Sequence, residues 1–125
     1  MIEPSHIMVV EDEIMVAIEI ADMLEKFGFT VVGPALHVED AIDLARTADI
    51  DAAFLDVNLG EGKTSSPVAD ILRDREVPFI FITAYDASQI HFRMSNEVVL
   101  SKPITDADLL TTLRTVLPHL ETLQD

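Results

Sequence analysis

The sequence predicts an α/β fold, a doubly wound parallel sheet with helices on both faces. Three observations carry this. Short, continuously apolar runs alternate with amphipathic stretches along the whole chain, making five β-α units. Runs such as HIMVV and VPFIFI hold almost no polar residue, as strands buried on both faces require. The length, 125 residues, fits one core, and no repeat, linker or low-complexity segment interrupts it. Residues 1–125 are therefore expected to form a single domain.

His6–Val10 (HIMVV) reads as a short buried strand. The long helix after it carries Ile14, Ala17, Ile18, Ala21, Leu24 and Phe27 at helical spacing, and Gly28 stops it. Phe29–Gly33 is the second strand, and His37–Thr47 a helix with Val38, Ala41, Ile42 and Ala45 on one face. Ala52–Leu55 is the third strand, Pro67–Arg75 the third helix and Val77–Ile82 the fourth strand. A further helix is expected over Ala87–Met94, and Val98–Leu100 is a short fifth strand. The last helix takes Thr105 as its N-cap, with Asp108 at capping-box spacing. Its core face is Leu109, Leu113, Val116, Leu117 and Leu120, and Pro118 ends or kinks it.

Composition narrows the function. The absence of cysteine excludes disulfide scaffolds and thiolate metal sites. No apolar stretch approaches the roughly 20 residues of a membrane-spanning helix. Met1-Ile2-Glu3-Pro4-Ser5 lacks the basic-then-apolar pattern of a secretion signal, so a cytoplasmic location is expected. Acidic residues number 23 against 8 basic, a net charge of -15, which argues against direct nucleic-acid binding. Such charge serves solubility, or marks a carboxylate cluster that binds a divalent cation or attracts a basic partner.

In an open parallel sheet, sites form beyond the carboxyl ends of the strands. Strand one delivers Glu11, Asp12 and Glu13 there; strand two delivers Gly33 and Pro34; strand three delivers Asp56, then Asn58. The fourth strand delivers Thr83, and the fifth Ser101 and Lys102. Each has an ordinary structural explanation: acidic residues suit a helix N-terminus, Asp56 a loop, Thr83 a cap and Lys102 the surface. Their coincidence on one rim weakens those explanations. Clustered carboxylates repel unless a cation sits among them, and Mg²⁺ suits a few carboxylates plus waters. Asp56 could then attack phosphorus as a nucleophile, with Lys102 and the Thr83 hydroxyl stabilising phosphoryl oxygens.

Taken as a set, VVEDE, FLDVNL, FIFITAYD and LSKP at the strand ends resemble the response-regulator receiver domains of two-component signalling, over essentially the whole chain. That resemblance implies a flavodoxin-like (βα)5 fold with strand order 2-1-3-4-5. It implies that Asp56 is the phosphoacceptor, and that Glu11 and Asp12 are the acidic pair for Mg²⁺ (or Mn²⁺). Asp56 and the backbone carbonyl of Asn58 would complete the metal's protein ligands. Thr83 would be the switch hydroxyl and Lys102, followed by Pro103, the phosphate-binding lysine. The phosphoryl donor would be a histidine kinase or a histidine phosphotransfer protein. Phosphorylation would alter a surface read by a downstream protein partner, with no nucleic acid or membrane involved. Such a chain is not an enzyme in the usual sense. By the resemblance it would be a signalling phosphoacceptor with autocatalytic phosphotransfer and autodephosphorylation.

The chain also departs from the family pattern. Many receivers carry Tyr or Phe three residues before the lysine, where this sequence has Val99. A strand-five aromatic is then not the readout; Tyr85 is the nearest alternative, or is simply a surface aromatic. The FITAY segment resembles stand-alone receivers whose fourth strand ends Phe-Ala-Thr-Gly, with Phe81 and Thr83 matching. Few residues follow the last helix, so no output domain is expected within this chain, although it could be a receiver cut from a longer protein.

Three rival readings fit less well. Gly60-Glu61-Gly62-Lys63-Thr64 looks like the end of a nucleotide-binding phosphate loop, but that motif needs glycine at position 57, which is Val57. The haloacid-dehalogenase-like phosphatases share an aspartate nucleophile, yet need a second aspartate where this chain has Asn58. A pseudo-receiver that only binds partners would not need every chemical position filled, as it is here.

Overall fold

The computed structural model describes residues 5–84, 90–92 and 97–117. Five strands, β1 (His6–Val10), β2 (Thr30–Ala35), β3 (Ala52–Asp56), β4 (Phe79–Thr83) and β5 (Val98–Ser101), form one sheet in the order β2-β1-β3-β4-β5. All neighbouring strands run parallel. The helices described are α1 (Ile14–Lys26), α2 (Val38–Thr47), α3 (Ser66–Asp74) and α4 (Asp106–Val116). The order reverses between β1 and β3, the crevice where ligands settle in open α/β sheets.

Alternation along each strand divides the core in two. Met8, Val10, Ala53, Leu55, Phe79 and Phe81 face α2 and α3, while Ile7, Val9, Ala52, Phe54, Ile80 and Ile82 face α1 and α4. Both faces of β1, β3 and β4 are covered, which is why those strands read as unbroken apolar runs. At the start of α4 the Thr105 hydroxyl accepts the Asp108 N–H at 3.0 Å, as the capping spacing predicts.

Several boundaries differ from the sequence expectation. β2 does not end at Gly33 but continues through Pro34 to Ala35; it lies at the sheet edge, where proline's missing N–H is tolerated. β3 and β4 extend to Asp56 and Thr83, α3 starts at Ser66, and β4 starts at Phe79 rather than Val77. The largest correction concerns α1. Its buried residues are Ala17, Ile20 and Leu24, whereas Ile14 and Ile18, expected in the core, are 58% and 49% exposed. The first five residues of the helix, Ile14 to Ile18, are all apolar, so its phase is marked only later, where Glu19, Asp22, Glu25 and Lys26 define the polar side opposite Ala17, Ile20 and Leu24. In α4, Leu110 and Thr112 join Leu109 and Leu113 in the interior, and Leu117, just past the helix, is buried with them. Tyr85, Pro118, Leu120 and most of the helix expected over Ala87–Met94 lie outside the described residues.

Gly33 shows how tightly β2 meets β1. Its φ is +94°, and an added Cβ would stand 2.7 Å from the Ala35 nitrogen and 3.2 Å from the Val9 carbonyl oxygen. Gly33→Ala is expected to lower stability by about 2–3 kcal/mol, combining backbone strain with the close contact. Gly62→Ala, also at positive φ but with nothing within 4 Å, should cost about 1 kcal/mol. Urea midpoints compare the two, and equal losses would show that the β2 backbone gives way freely.

Candidate functional site

Strand register brings the polar residues together. Val10 pairs with Leu55, so Glu11 and Asp56, each one residue further on, emerge side by side. Asp56 pairs with Ile82, and Thr83 with Ser101, which sets Thr83 and Lys102 on the same rim. Backbone bonds hold these exits: Glu11 N–H to the Ala35 carbonyl at 3.0 Å, Val57 N–H to Ile82 at 3.1 Å, and Lys102 N–H to Thr83 at 2.9 Å. The result is a cleft of ≈ 240 Å³ lined by Asp12, Glu13, Asp56, Asn58, Gly60, Thr83, Ala84 and Lys102.

Its floor is acidic. One carboxylate oxygen from each of Glu11, Asp12 and Asp56 lies within 4.8 Å of the others. Glu11 is fully buried, Asp56 and Thr83 nearly so, and Asp12 half-buried. The Lys102 ammonium enters from β5, 2.8 Å from Glu11 Oε1, 3.3 Å from Asp56 Oδ2 and 3.8 Å from Glu13 Oε1. It donates a hydrogen bond to Asp56. Toward Glu11 it acts as an ion-pair partner, because Glu11 Oε1 has no aligned hydrogen-bond donor. The other Glu11 oxygen, Oε2, accepts the Glu13 N–H at 3.1 Å.

These neighbours perturb Asp56 strongly. Burial, then the hydrogen bond and charge of Glu11, then Asp12 push its carboxyl up to about 8, with Lys102 only partly opposing. For Lys102, burial works against the charge, yet the Glu11 and Asp56 carboxylates outweigh it and hold the ammonium above its usual range. Three acidic groups facing one ammonium leave the cluster short of positive charge. An unaligned oxygen on a fully buried glutamate and an all-oxygen donor set suit a hard divalent cation.

All the sequence-predicted side chains, Glu11, Asp12, Asp56, Thr83 and Lys102, thus reach one cleft, and Asn58 lines it. Sequence reasoning missed Gly60, which replaces any side chain above the cluster: a Cβ there would lie 3.4 Å from Asp12 Oδ2. The rest of the GEGKT segment turns away. Lys63 N–H bonds the Gly60 carbonyl at 2.9 Å, and its ammonium pairs with Glu39 of α2 at 2.8 Å. That lysine is committed to α2, not to a phosphate cradle.

The sequence profile of the response regulator receiver domain matches residues 7–114. The solution structure of SdrG from Sphingomonas melonis Fr1 is 37% identical, with a TM-score of 0.82 over 94% of this chain and 99% of that one. Transcriptional regulatory protein PdtaR of Mycobacterium tuberculosis is 26% identical over 110 residues, 86% of this chain and 54% of its own. The chain therefore spans about half the length of the curated relatives it matches first. The receiver domain of sensor histidine kinase PA1611 from Pseudomonas aeruginosa PAO1 shares the fold at 23% identity, with a TM-score of 0.79 over 92% of this chain and 98% of that one. That structure holds a magnesium ion coordinated in its active-site cleft.

Proposed function

The chain belongs to the response-regulator receiver domain family, and from that premise we propose that Asp56 accepts a phosphoryl group from a phosphohistidine in a two-component phosphorelay. Receiver domains are signalling phosphoacceptors rather than ordinary enzymes, and they work with histidine kinases or phosphotransfer proteins. The observation that carries the assignment is the position of Asp56: nearly buried at a strand end, 3.3 Å from an ammonium and beside two further carboxylates.

In the reaction, an Asp56 carboxylate oxygen forms a bond to phosphorus as the phosphorus–nitrogen bond to the donor imidazole breaks. The imidazole keeps the electron pair and takes up a proton. Lys102 favours the ionised form of Asp56 against burial and its acidic neighbours, and follows the negative charge onto the phosphoryl oxygens during transfer. The nearly buried Thr83 hydroxyl then turns toward the new phosphoryl group, drawing on the backbone after β4. Water later cleaves the acyl phosphate and resets Asp56. Glu11, Asp12 and Asp56, with the Asn58 carbonyl, would hold a divalent cation, Mg²⁺ or Mn²⁺, which would supply positive charge to the transferring group. On this reading residues 1–125 are one receiver domain acting in the cytoplasm through a protein partner; among the described residues no helix is long and apolar enough to cross a membrane.

The test is labelling with acetyl phosphate. The protein should gain one phosphoryl group with Mg²⁺ present and none with a chelator. Protein that stays unlabelled, under conditions that label a known receiver, would sink the assignment.

Donor docking is assigned to α1. Ile14, Met15 and Ile18 are 58%, 70% and 49% exposed, an apolar patch beside the acidic rim. Next to them runs a groove of ≈ 330 Å³ whose lining includes Val16, Ile20, Met23 and Ile104, with Lys102 common to groove and cleft. Met15→Lys is expected to slow transfer from a phosphohistidine donor by about tenfold or more, the loss typical of an interface anchor. Labelling by acetyl phosphate, which needs no docking surface, should stay within about twofold. Equal slowing of both would place Met15 in the chemistry instead.

A further inference from the structure

Arg73, near the end of α3, gathers contacts that the phosphotransfer chemistry does not use. Its Nε and Nη2 bond the two carboxylate oxygens of Glu97 at 2.8 and 2.6 Å. Nη2 also donates to the Phe92 carbonyl at 2.8 Å, Nη1 donates to Asp70 at 3.1 Å, and the guanidinium lies 5.4 Å from the Phe79 ring centroid. The pair is largely withdrawn from water, with side chains 21% and 17% exposed. Bidentate, partly desolvated pairs of this kind are the strong ones. Phe92 is gripped twice, because its ring also meets Phe81 edge-on at 5.4 Å.

The placement of these grips matters. Phe92 and Glu97 both belong to the connection between β4 and β5, and the same connection begins at Ala84, next to Thr83. Phe81, under the Phe92 ring, lies two residues before Thr83, in the core that faces α2 and α3. One guanidinium on α3 therefore secures Phe92 and Glu97, and the Phe92 ring meets Phe81, two residues from the proposed switch hydroxyl.

We propose that Arg73 is a latch, holding Phe92 and Glu97 in their resting positions against α3 and thereby setting how readily Asp56 is phosphorylated. The inference rests on the phosphoacceptor reading of Asp56. A contact made in one arrangement and weakened in the other shifts the equilibrium between them, and linkage carries that shift to the phosphorylation site. Removing the latch favours the arrangement that phosphorylation selects. A lysine at position 73 would retain charge without the fork that spans Glu97 and the Phe92 carbonyl.

Two readouts test this: amide hydrogen exchange of the unphosphorylated protein over residues 90–92 and 97–101, and the rate of labelling by acetyl phosphate with Mg²⁺. Arg73→Ala and Glu97→Gln are expected to speed exchange and to raise the labelling rate about fivefold or more. Arg73→Lys should fall between them and the parent. Arg75→Ala, whose guanidinium bonds the Ala45 carbonyl at 2.6 Å on α2, should change neither readout. Faster exchange at the parent labelling rate would reduce Arg73 to a static brace and overturn the proposal, as would no change in either. Should Arg73→Ala fail to fold, Glu97→Gln decides alone. A parent protein that takes no label overturns the phosphoacceptor reading and the latch together. Failure of the latch alone is distinct, because there the parent labels and the variants match it.

Discussion

Asp56→Asn is expected to take no label from acetyl phosphate and, in metal-free buffer near neutral pH, to melt above the parent. The Asp56 carboxyl is pushed from 3.8 to about 8, first by burial and then by Glu11 and Asp12. Between those values the folded state binds a proton that the unfolded chain has released. Stability is therefore fully present below about 4, falls as pH rises toward about 8, and is level above that. The cleft is open to water, so only part of that shift should appear as stability. About 1–3 kcal/mol is expected from neutralising the side chain, or roughly 3–8 °C in Tm. The variant's Tm should lose this pH slope. Mg²⁺ should raise the Tm of the parent and leave the variant nearly unmoved, which reads metal binding without phosphotransfer. A variant with the parent's Tm and slope would mean that the carboxylate repulsion is absorbed elsewhere.

Lys102→Ala should act with the opposite sign on stability and the same sign on chemistry. Its ammonium lies 2.8 Å from the fully buried Glu11 and 3.3 Å from Asp56. Removing it leaves those carboxylates without a cation, a loss of about 2–4 kcal/mol in metal-free buffer. Labelling by acetyl phosphate should fall about 100-fold or more, since a charge aimed at the transferring group is gone. The folded pKa of Lys102 is raised, so the pair's stabilisation is fully present below 10.5, the unfolded value, and is lost only as pH rises through the higher folded one. Near neutrality the loss should therefore not depend on the lysine's own titration. In the Lys102→Ala background, Asp56→Asn should add more stability than it adds to the parent, because the carboxylate it removes there has lost its ammonium partner. A double variant that is simply additive would show that Lys102 and Asp56 do not interact in solution.

How much was legible depends on where each residue's partners lie along the chain. The site was readable because parallel strands deliver their next residue to a common rim: Glu11 after Val10, Asp56 after Leu55, Lys102 after Ser101. Knowing the strands was enough to group those residues. Strand ends were less clear, since the apolar run VPFIFI does not say that pairing begins at Phe79. The phase of α1 was only partly readable, because its polar side is marked only from Glu19 on, by Asp22, Glu25 and Lys26. With Ile14, Met15, Val16, Ala17 and Ile18 consecutive, the first turn by itself does not say which of them faces inward. The packing puts Ala17, Ile20 and Leu24 inward and leaves Ile14, Met15 and Ile18 outward.

Local pattern was sufficient for the parallel sheet, the helices that cover it and the set of residues at its carboxyl edge, because burial on both faces writes itself into short stretches of sequence. Three-dimensional packing was needed for the rest. It set the exposed side of α1, committed Lys63 to Glu39 and joined Arg73 to Glu97 and Phe92. Partners 24 residues apart, as in both of those ion pairs, leave no periodic trace, because nothing local constrains which charge a folded chain will bring within reach.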